Sequence, residues 1–239
     1  MILDKALTNT EDVLHKVLDS LVKQESLLLT YFNHHCFNIY YDDETYRTVI
    51  RNDFEIYQAD LGIYLALRFF FGRKINRIIG TDLNETLLKE LINRNISITI
   101  IGGNFDENFI REKSIKKGIN LVRYQNGFFN EEQSGNIIDK LSSLSNQVFI
   151  IGMGVPKQEF FAKRLSRKSG TKLIICVGNF LEFYFGTKKR APVFLRKIGF
   201  EWLFRLFTEP ARLWKRYLLG IPLFLYHIIK LKITSGQKK

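Results

Sequence analysis

The sequence predicts an α/β fold: a parallel sheet flanked by helices, followed by a basic helical appendage. Three observations carry that expectation. Short apolar runs alternate with amphipathic stretches over most of the chain, as in a sheet covered on both faces. Several of those runs end in glycine or a small polar residue. The composition then changes after Gly186, where cations and aromatics interleave.

Val13, Leu14, Val17, Leu18 and Leu21 recur at helical spacing in residues 10–24, with Thr10 as the N-cap and Glu11 and Asp12 in the first turn. Residues 26–33 read as an apolar strand ending at Asn33. A helix follows at 43–51, and 54–59 form a strand running into Asp60. The apolar and aromatic stretch 62–71 is a buried helix. An amphipathic helix spans 84–93, and a strand covers 96–101 before Gly102-Gly103-Asn104. Next come a polar helix at 106–117, a strand at 120–124 and a turn at Gln125-Asn126-Gly127. Residues 137–145 are helical, and 147–151 are a strand leading into Gly152-Met153-Gly154. Pro156 opens a helix over 156–165, and 173–177 form the last strand before Gly178. Ligands of such sheets bind at the carboxyl ends of strands, which directs attention to Asn33, Asp60 and residues 102–104, 152–158 and 178–182.

A chain of 239 residues that is 46% hydrophobic and 14% aromatic has enough apolar material for a core, which excludes global disorder. The formal charge of +12 is unevenly placed. From Thr187 onward there are 13 Lys+Arg against 2 Asp+Glu, so this segment holds +11 and the preceding residues about +1. Such a tail suits an anionic partner: nucleic acid, acidic lipid or a phosphorylated ligand. Its apolar part, from Tyr217 to Leu231, is interrupted by Gly220-Ile221-Pro222 and is expected to fall short of the ~20 residues of a spanning helix. Phe200, Leu203, Phe204 and Phe207 share a helix face, and Arg212, Lys215 and Arg216 lie beside Trp214 and Tyr217. That mixture fits an interfacial helix on anionic lipid; a helical hairpin packed on the core fits the same residues. No nucleic-acid-binding motif is present. Cys36 and Cys176 lie in apolar surroundings and read as buried free thiols, and no Cys/His cluster suggests zinc. The first residues lack the basic and apolar regions of a secretory signal, so the expected place is the cytosol or the inner membrane face.

The strongest local signal is Gly152-Met153-Gly154-Val155-Pro156-Lys157-Gln158-Glu159. Two glycines after a strand let backbone N–H groups approach a ligand, and Pro156 suits the first turn of a helix whose N-terminus favours phosphate. Lys157 would add charge and Gln158 a hydrogen bond; a plain structural turn has the same appearance. It is neither a dinucleotide fingerprint nor a Walker loop. Asp60 suits a general base acting on a hydroxyl, and equally a helix N-cap. Asn33, His34 and His35 lie at another strand end, and Asp82 suits a helix cap or a ligand hydroxyl. No Ser-His-Asp order, HExxH or DxD occurs.

Several segments together resemble the WecG/TagA/CpsF glycosyltransferase family. They are IGMGVPKQE, VGNFLEFYFGTKKRAP and GFEWLFRLFTEPARLWKRY, with YFNHHCFN, QADLGIYLAL and IIGTDL upstream. The resemblance spans roughly residues 26–220. It implies a Rossmann-like nucleotide-sugar-binding domain over 1–197 and a membrane-proximal basic and aromatic appendage over 198–239. The implied reaction is inverting and metal-independent, with no cofactor: a sugar moves from a UDP-sugar to an undecaprenyl-diphosphate-linked sugar in bacterial capsule, O-antigen or exopolysaccharide synthesis. By the same resemblance Asp60 is the base. Asn33, Gly152, Gly154, Pro156, Lys157, Gln158 and Glu182 bind the donor, and Arg190, Arg205, Arg212 and Arg216 meet the diphosphate. Where the family carries threonine, glycine and aspartate, this chain has Tyr31, Leu61 and Glu182, and one terminal cation is Lys215. The implied partners are the UDP-sugar, the polyprenyl-diphosphate acceptor and the cytoplasmic face of the cell membrane as a peripheral protein, without nucleic acid; homo-oligomerisation stays open. The rival reading is a non-catalytic basic membrane adaptor of the same pathway. A nucleotide-sugar epimerase or dehydrogenase would need the dinucleotide fingerprint that is missing.

Overall fold

A computed structural model describes residues 9–72, 76–144, 148–169 and 173–236; the side chains of 58, 59, 235 and 236 are also left aside. Residues 1–8 of the N-terminal segment read for a signal, together with Ser145 and Gln147, lie outside the described residues.

Six parallel strands form one sheet in the order β2-β1-β6-β5-β3-β4. The strands are β1 (Leu27–Phe32), β2 (Glu55–Ala59), β3 (Ile98–Gly102), β4 (Leu121–Gln125), β5 (Val148–Gly152) and β6 (Leu173–Cys176). Period-2 alternation divides the apolar side chains between two faces. In β1, Leu28 and Phe32 join one core cluster, and Leu27 and Leu29 the other. The first face is covered by α2 (His34–Asp42), α3 (Glu44–Asp53), α4 (Leu61–Phe71), α7 (Glu131–Ser142) and α8 (Lys157–Ser169). The second is covered by α1 (Thr10–Lys23), α5 (Gly80–Asn93), α6 (Glu107–Lys116) and α9 (Phe180–Tyr184). The α/β architecture read from the sequence is therefore the architecture of the chain. Cys36 and Cys176 are free and fully buried.

Local chemistry sets most helix starts. Asn9, Asn33, Asp43, Asp60, Asp106 and Asn130 each accept a backbone N–H at a helix N-terminus, and Asn130 with Gln133 completes a capping box. That box begins α7 at Glu131, six residues before the expected start. Likewise α5 begins at Gly80, so Asp82 lies inside its first turn instead of capping a helix at Asn84. The sequence reading has no counterpart for α2: Asn33 ends β1 and starts that helix at once.

The appendage comprises α10 (Val193–Ile198), α11 (Glu201–Thr208) and α12 (Pro210–Trp214). A π-helical turn, Lys215–Leu219, leads from α12 into α13 (Gly220–Gly236). Here an expectation fails. Gly220-Ile221-Pro222 does not interrupt the helix, and Pro210–Thr234 is long and apolar enough to cross a membrane by length and composition. Pro222 brings no N–H to the ladder, and the wide π turn lies just ahead of it. One stripe of this helix packs down: Leu213, Tyr217, Phe224, His227 and Ile228 are buried, while Leu218, Leu225, Tyr226 and Ile229 face outward.

Candidate active site

The chain leaves β1 toward one face of the sheet, through α2, and leaves its neighbour β6 toward the other, through α9. A crevice opens where adjacent connections diverge in this way. A register shift between Thr30 and Tyr31 inserts one extra residue in β2 opposite β1. Such bulges re-aim the residues beyond them. Past it, the Asp60 N–H bonds to the Phe32 carbonyl at 3.1 Å, which sets Asp60 beside Asn33 at the rim.

Two cavities meet over this crevice. The first, of about 490 Å3, is lined by Asn33, His34 and Asp60 from the strand ends and by Leu65, Phe69 and Phe70 from α4. Arg205, Arg216, Trp202, Tyr217 and Phe224 close it from the appendage. The second, of about 760 Å3, lies between His35, Asp42, Gly154 and Val155 on the core and Arg212, Lys215 and Arg216 on the appendage. Tyr31, Asn179 and Arg216 belong to both walls.

The carboxylate of Asp60 bears out one of its two sequence readings, the helix cap. Its Oδ1 accepts the Ile63 N–H at 3.0 Å as the N-cap of α4, and its Oδ2 lies 3.3 Å from His34 Nδ1. The side chain keeps 28% exposure, toward the first cavity. Opposite it stand donors without protein partners: Arg205 Nε, Arg216 Nε and Asn179 Nδ2 are buried and unbonded. Among the described residues no carboxylate pairs with Arg216, so its charge faces the cavities. Buried donors left unpaired are costly, and a ligand rich in acceptor oxygens relieves that cost.

The other sequence-derived residues divide by position. Asn33 lines the first cavity, but its carbonyl oxygen is committed to capping α2 through the Cys36 N–H at 3.0 Å. Gly154 lines the second cavity at φ +83°, with open space where a side chain would be. Gly152 serves close packing instead: a Cβ there would lie 2.6 Å from the Gly178 carbonyl. Pro156 follows a cis peptide and precedes α8. Lys157 is turned to the loop after β4, donating to the Gly127 and Phe129 carbonyls at 3.0 and 2.6 Å. Gln158 is fully buried and accepts the Gly178 N–H at 3.2 Å, bracing the β6–α9 loop from below. Beside it, burial pushes the Glu159 carboxyl up to about 7, although Thr30 and Gln158 both donate to Oε1 at 2.7 Å.

Glu182 pairs with Lys188 at 2.6 Å; Lys188 also reaches Glu209, which Arg212 contacts at 2.7 Å. Arg212 first, and then Lys188, hold the Glu209 carboxyl down at about 2. This chain of charges clamps α12 to α9. Arg190 is held by Thr81, Asp82 and Glu85 on α5 and lines neither cavity, although Thr81 lines the first, and Arg196 shares Asp82. The departures at Tyr31 and Leu61 line the first cavity and also pack tightly against glycines. The Tyr31 hydroxyl lies 2.6 Å from where a Cβ of Gly178 would be, and Leu61 stands 2.4 Å from that of Gly199, where the appendage folds back. Burial raises the Tyr31 hydroxyl well above its usual range, so it stays protonated. Burial, and then the Arg216 charge, lower His35 to about 4, leaving a neutral ring in the second cavity. Asn179 and Trp202 were not read from the sequence as site residues. Asn179 does lie in the 178–182 segment to which the strand pattern points.

The model of the glycosyl transferase WecG/TagA/CpsF family matches residues 2–238. The chain belongs to that family. It is thus a glycosyltransferase by family, one of those of surface polysaccharide biosynthesis, and the match runs through both the sheet and the appendage.

Proposed function

We propose that the chain moves a sugar from a UDP-sugar to an undecaprenyl-diphosphate-linked sugar, with inversion and without a metal ion or cofactor, as a peripheral protein on the cytoplasmic membrane face. The observation that carries this reading is the pairing, across one cavity, of an accessible Asp60 carboxylate with the unpaired donors of Arg216, Arg205 and Asn179. In an inverting transfer the carboxylate takes the proton of the acceptor hydroxyl as its oxygen attacks the anomeric carbon. The bond to the diphosphate breaks on the opposite face, and the departing negative charge needs fixed cations. Asp60 supplies the first function. Arg216, common to both cavities, supplies the second, with Arg212 and Lys215 alongside.

The arrangement supports a division of labour. The nucleotide enters the second cavity beside Gly154, and the acceptor enters the first, whose Leu65, Phe69 and Phe70 wall suits an isoprenoid next to the headgroup cations. Exposed Phe194 and Phe207 belong to the basic appendage, and exposed Phe69 lines the first cavity together with its Arg205 and Arg216, the composition of a surface that suits anionic lipid.

The test is a screen of UDP-sugars against a synthetic polyprenyl-diphosphate-sugar, read by mass spectrometry with and without EDTA. Transfer is expected from one donor class, unaffected by the chelator. Asp60→Asn, which keeps an oxygen to cap α4, is expected to lower transfer by about 10²–10⁴-fold with an unchanged circular dichroism spectrum. Wild-type turnover in that variant would remove Asp60 from the role of base.

A further inference from the structure

His34 stands where the catalytic carboxylate, the core and the appendage meet. Its side chain is 8% exposed, with Tyr217 at 5.6 Å and Phe224 at 6.4 Å between ring centroids. Gly62 of α4 and Gly220 of α13 adjoin it: side chains there would lie 3.7 Å from its Cβ and 4.0 Å from its Cδ2. Nδ1 points to Asp60 Oδ2 and Nε2 to the backbone carbonyl of Arg216, both at 3.3 Å. That carbonyl is available because of the π turn. The N–H of Gly220, which in an α-helix would bond to Arg216, goes instead to the carbonyls of Lys215 and Tyr217.

We propose that His34 is a positioning residue through which the docked appendage orients Asp60. A ring that makes both contacts carries an N–H on each nitrogen: the Nε2–H, donated to the Arg216 carbonyl, fixes the plane of the imidazole together with the flanking rings, and the Nδ1–H, donated to Oδ2, holds the carboxylate in the rotamer that faces the first cavity. With Oδ1 on the Ile63 N–H and Oδ2 on His34, Asp60 cannot turn away. Its remaining lone pairs are left for the substrate hydroxyl. The second nitrogen of a catalytic imidazole commonly sets the ring's orientation in this way. Arg216 is then coupled to the base by its own peptide group, so the cation that meets the diphosphate and the carboxylate that takes the proton are placed by one contact. The inference rests on the reading of Asp60 as the base.

Two isosteres separate the ring's two contacts. His34→Asn keeps an amide N–H near the place of Nδ1, and His34→Gln keeps one near that of Nε2. With Asp60 mispositioned, His34→Gln is expected to lose on the order of tenfold or more in kcat at an almost unchanged donor KM. His34→Asn is expected to keep the larger part of kcat. Equal losses in the two variants, or losses confined to KM, overturn the proposal. A second readout needs no turnover. In 15N-histidine NMR spectra of the wild-type protein, His34 is expected to carry a slowly exchanging proton on Nδ1 whose shift moves in Asp60→Asn. A ring protonated only on Nε2 refutes the link. If Asp60→Asn keeps full turnover, the base reading fails by itself, and the NMR result still decides whether His34 holds Asp60.

Discussion

Gly178 shows how tightly single residues are constrained around the crevice. It adopts φ +57°, and an added Cβ would come within 2.6–3.0 Å of the hydroxyl and ring of Tyr31. Gly178→Ala is therefore expected to destabilise the protein by about 1–3 kcal/mol, measured by urea unfolding. Tyr31→Phe should leave most of that loss, because ring carbons at 2.9 and 3.0 Å remain in the way. Recovery of full stability in the double variant would locate the strain in the hydroxyl alone. Glu159 gives a residue-scale prediction in pH. Its carboxyl is raised from 4.5 to about 7 by burial, so the folded state holds its proton more tightly than the unfolded chain does. The stability linked to that proton is complete below about 4.5 and is lost as pH rises through about 7. Glu159→Gln should flatten this part of the Tm–pH profile; an unaltered slope between pH 4.5 and 7 would show that the group titrates normally.

At the scale of elements, the useful signals in the sequence were those with local causes. Short apolar runs placed β1 to β6 within a residue or two, because a run that ends in glycine or a polar residue depends only on neighbours along the chain. The helices α2 and α7 show where such signals stop. Their starts are set by Asn33 and Asn130 as caps, and Asn at a strand end reads equally as a turn or a ligand contact. Asp60 was legible as the cap of α4, which takes one oxygen and leaves the other for the base role proposed for it. The duties of Lys157 and Arg190 were not legible: the carbonyls and carboxylates that hold them are distant in sequence and meet only in the fold. The clamp from Glu182 through Lys188 and Glu209 to Arg212 belongs to this scale as well. Lys188→Ala should loosen α12 from α9, seen as faster amide exchange over 209–216 than over the sheet. Equal protection in the variant would mean that apolar packing alone holds the helix.

For the whole molecule, the uneven charge read from the sequence becomes geometry: the basic segment is a set of helices closing two cavities over a near-neutral sheet. Phe69 on α4 and Leu225 on α13, 74% and 44% exposed, both line the first cavity. Replacing both by serine is expected to weaken binding to anionic liposomes by on the order of tenfold while leaving UDP binding intact, by cosedimentation and calorimetry. Unchanged partitioning would take this lip out of the membrane contact. The π turn at Lys215–Leu219 has a consequence of a different kind, for the registration of everything after it. Five residues in this wide turn sweep about the same angle as four residues of α-helix at about 100° each, so drawing all five into α-helical geometry would rotate the rest of α13 by about 100°. Phe224, His227 and Ile228 would swing off α2 and their outward-facing neighbours would swing in. The local length of five residues thus acts as an index mark, deciding which side of a long apolar helix meets the protein and which is left for its surroundings.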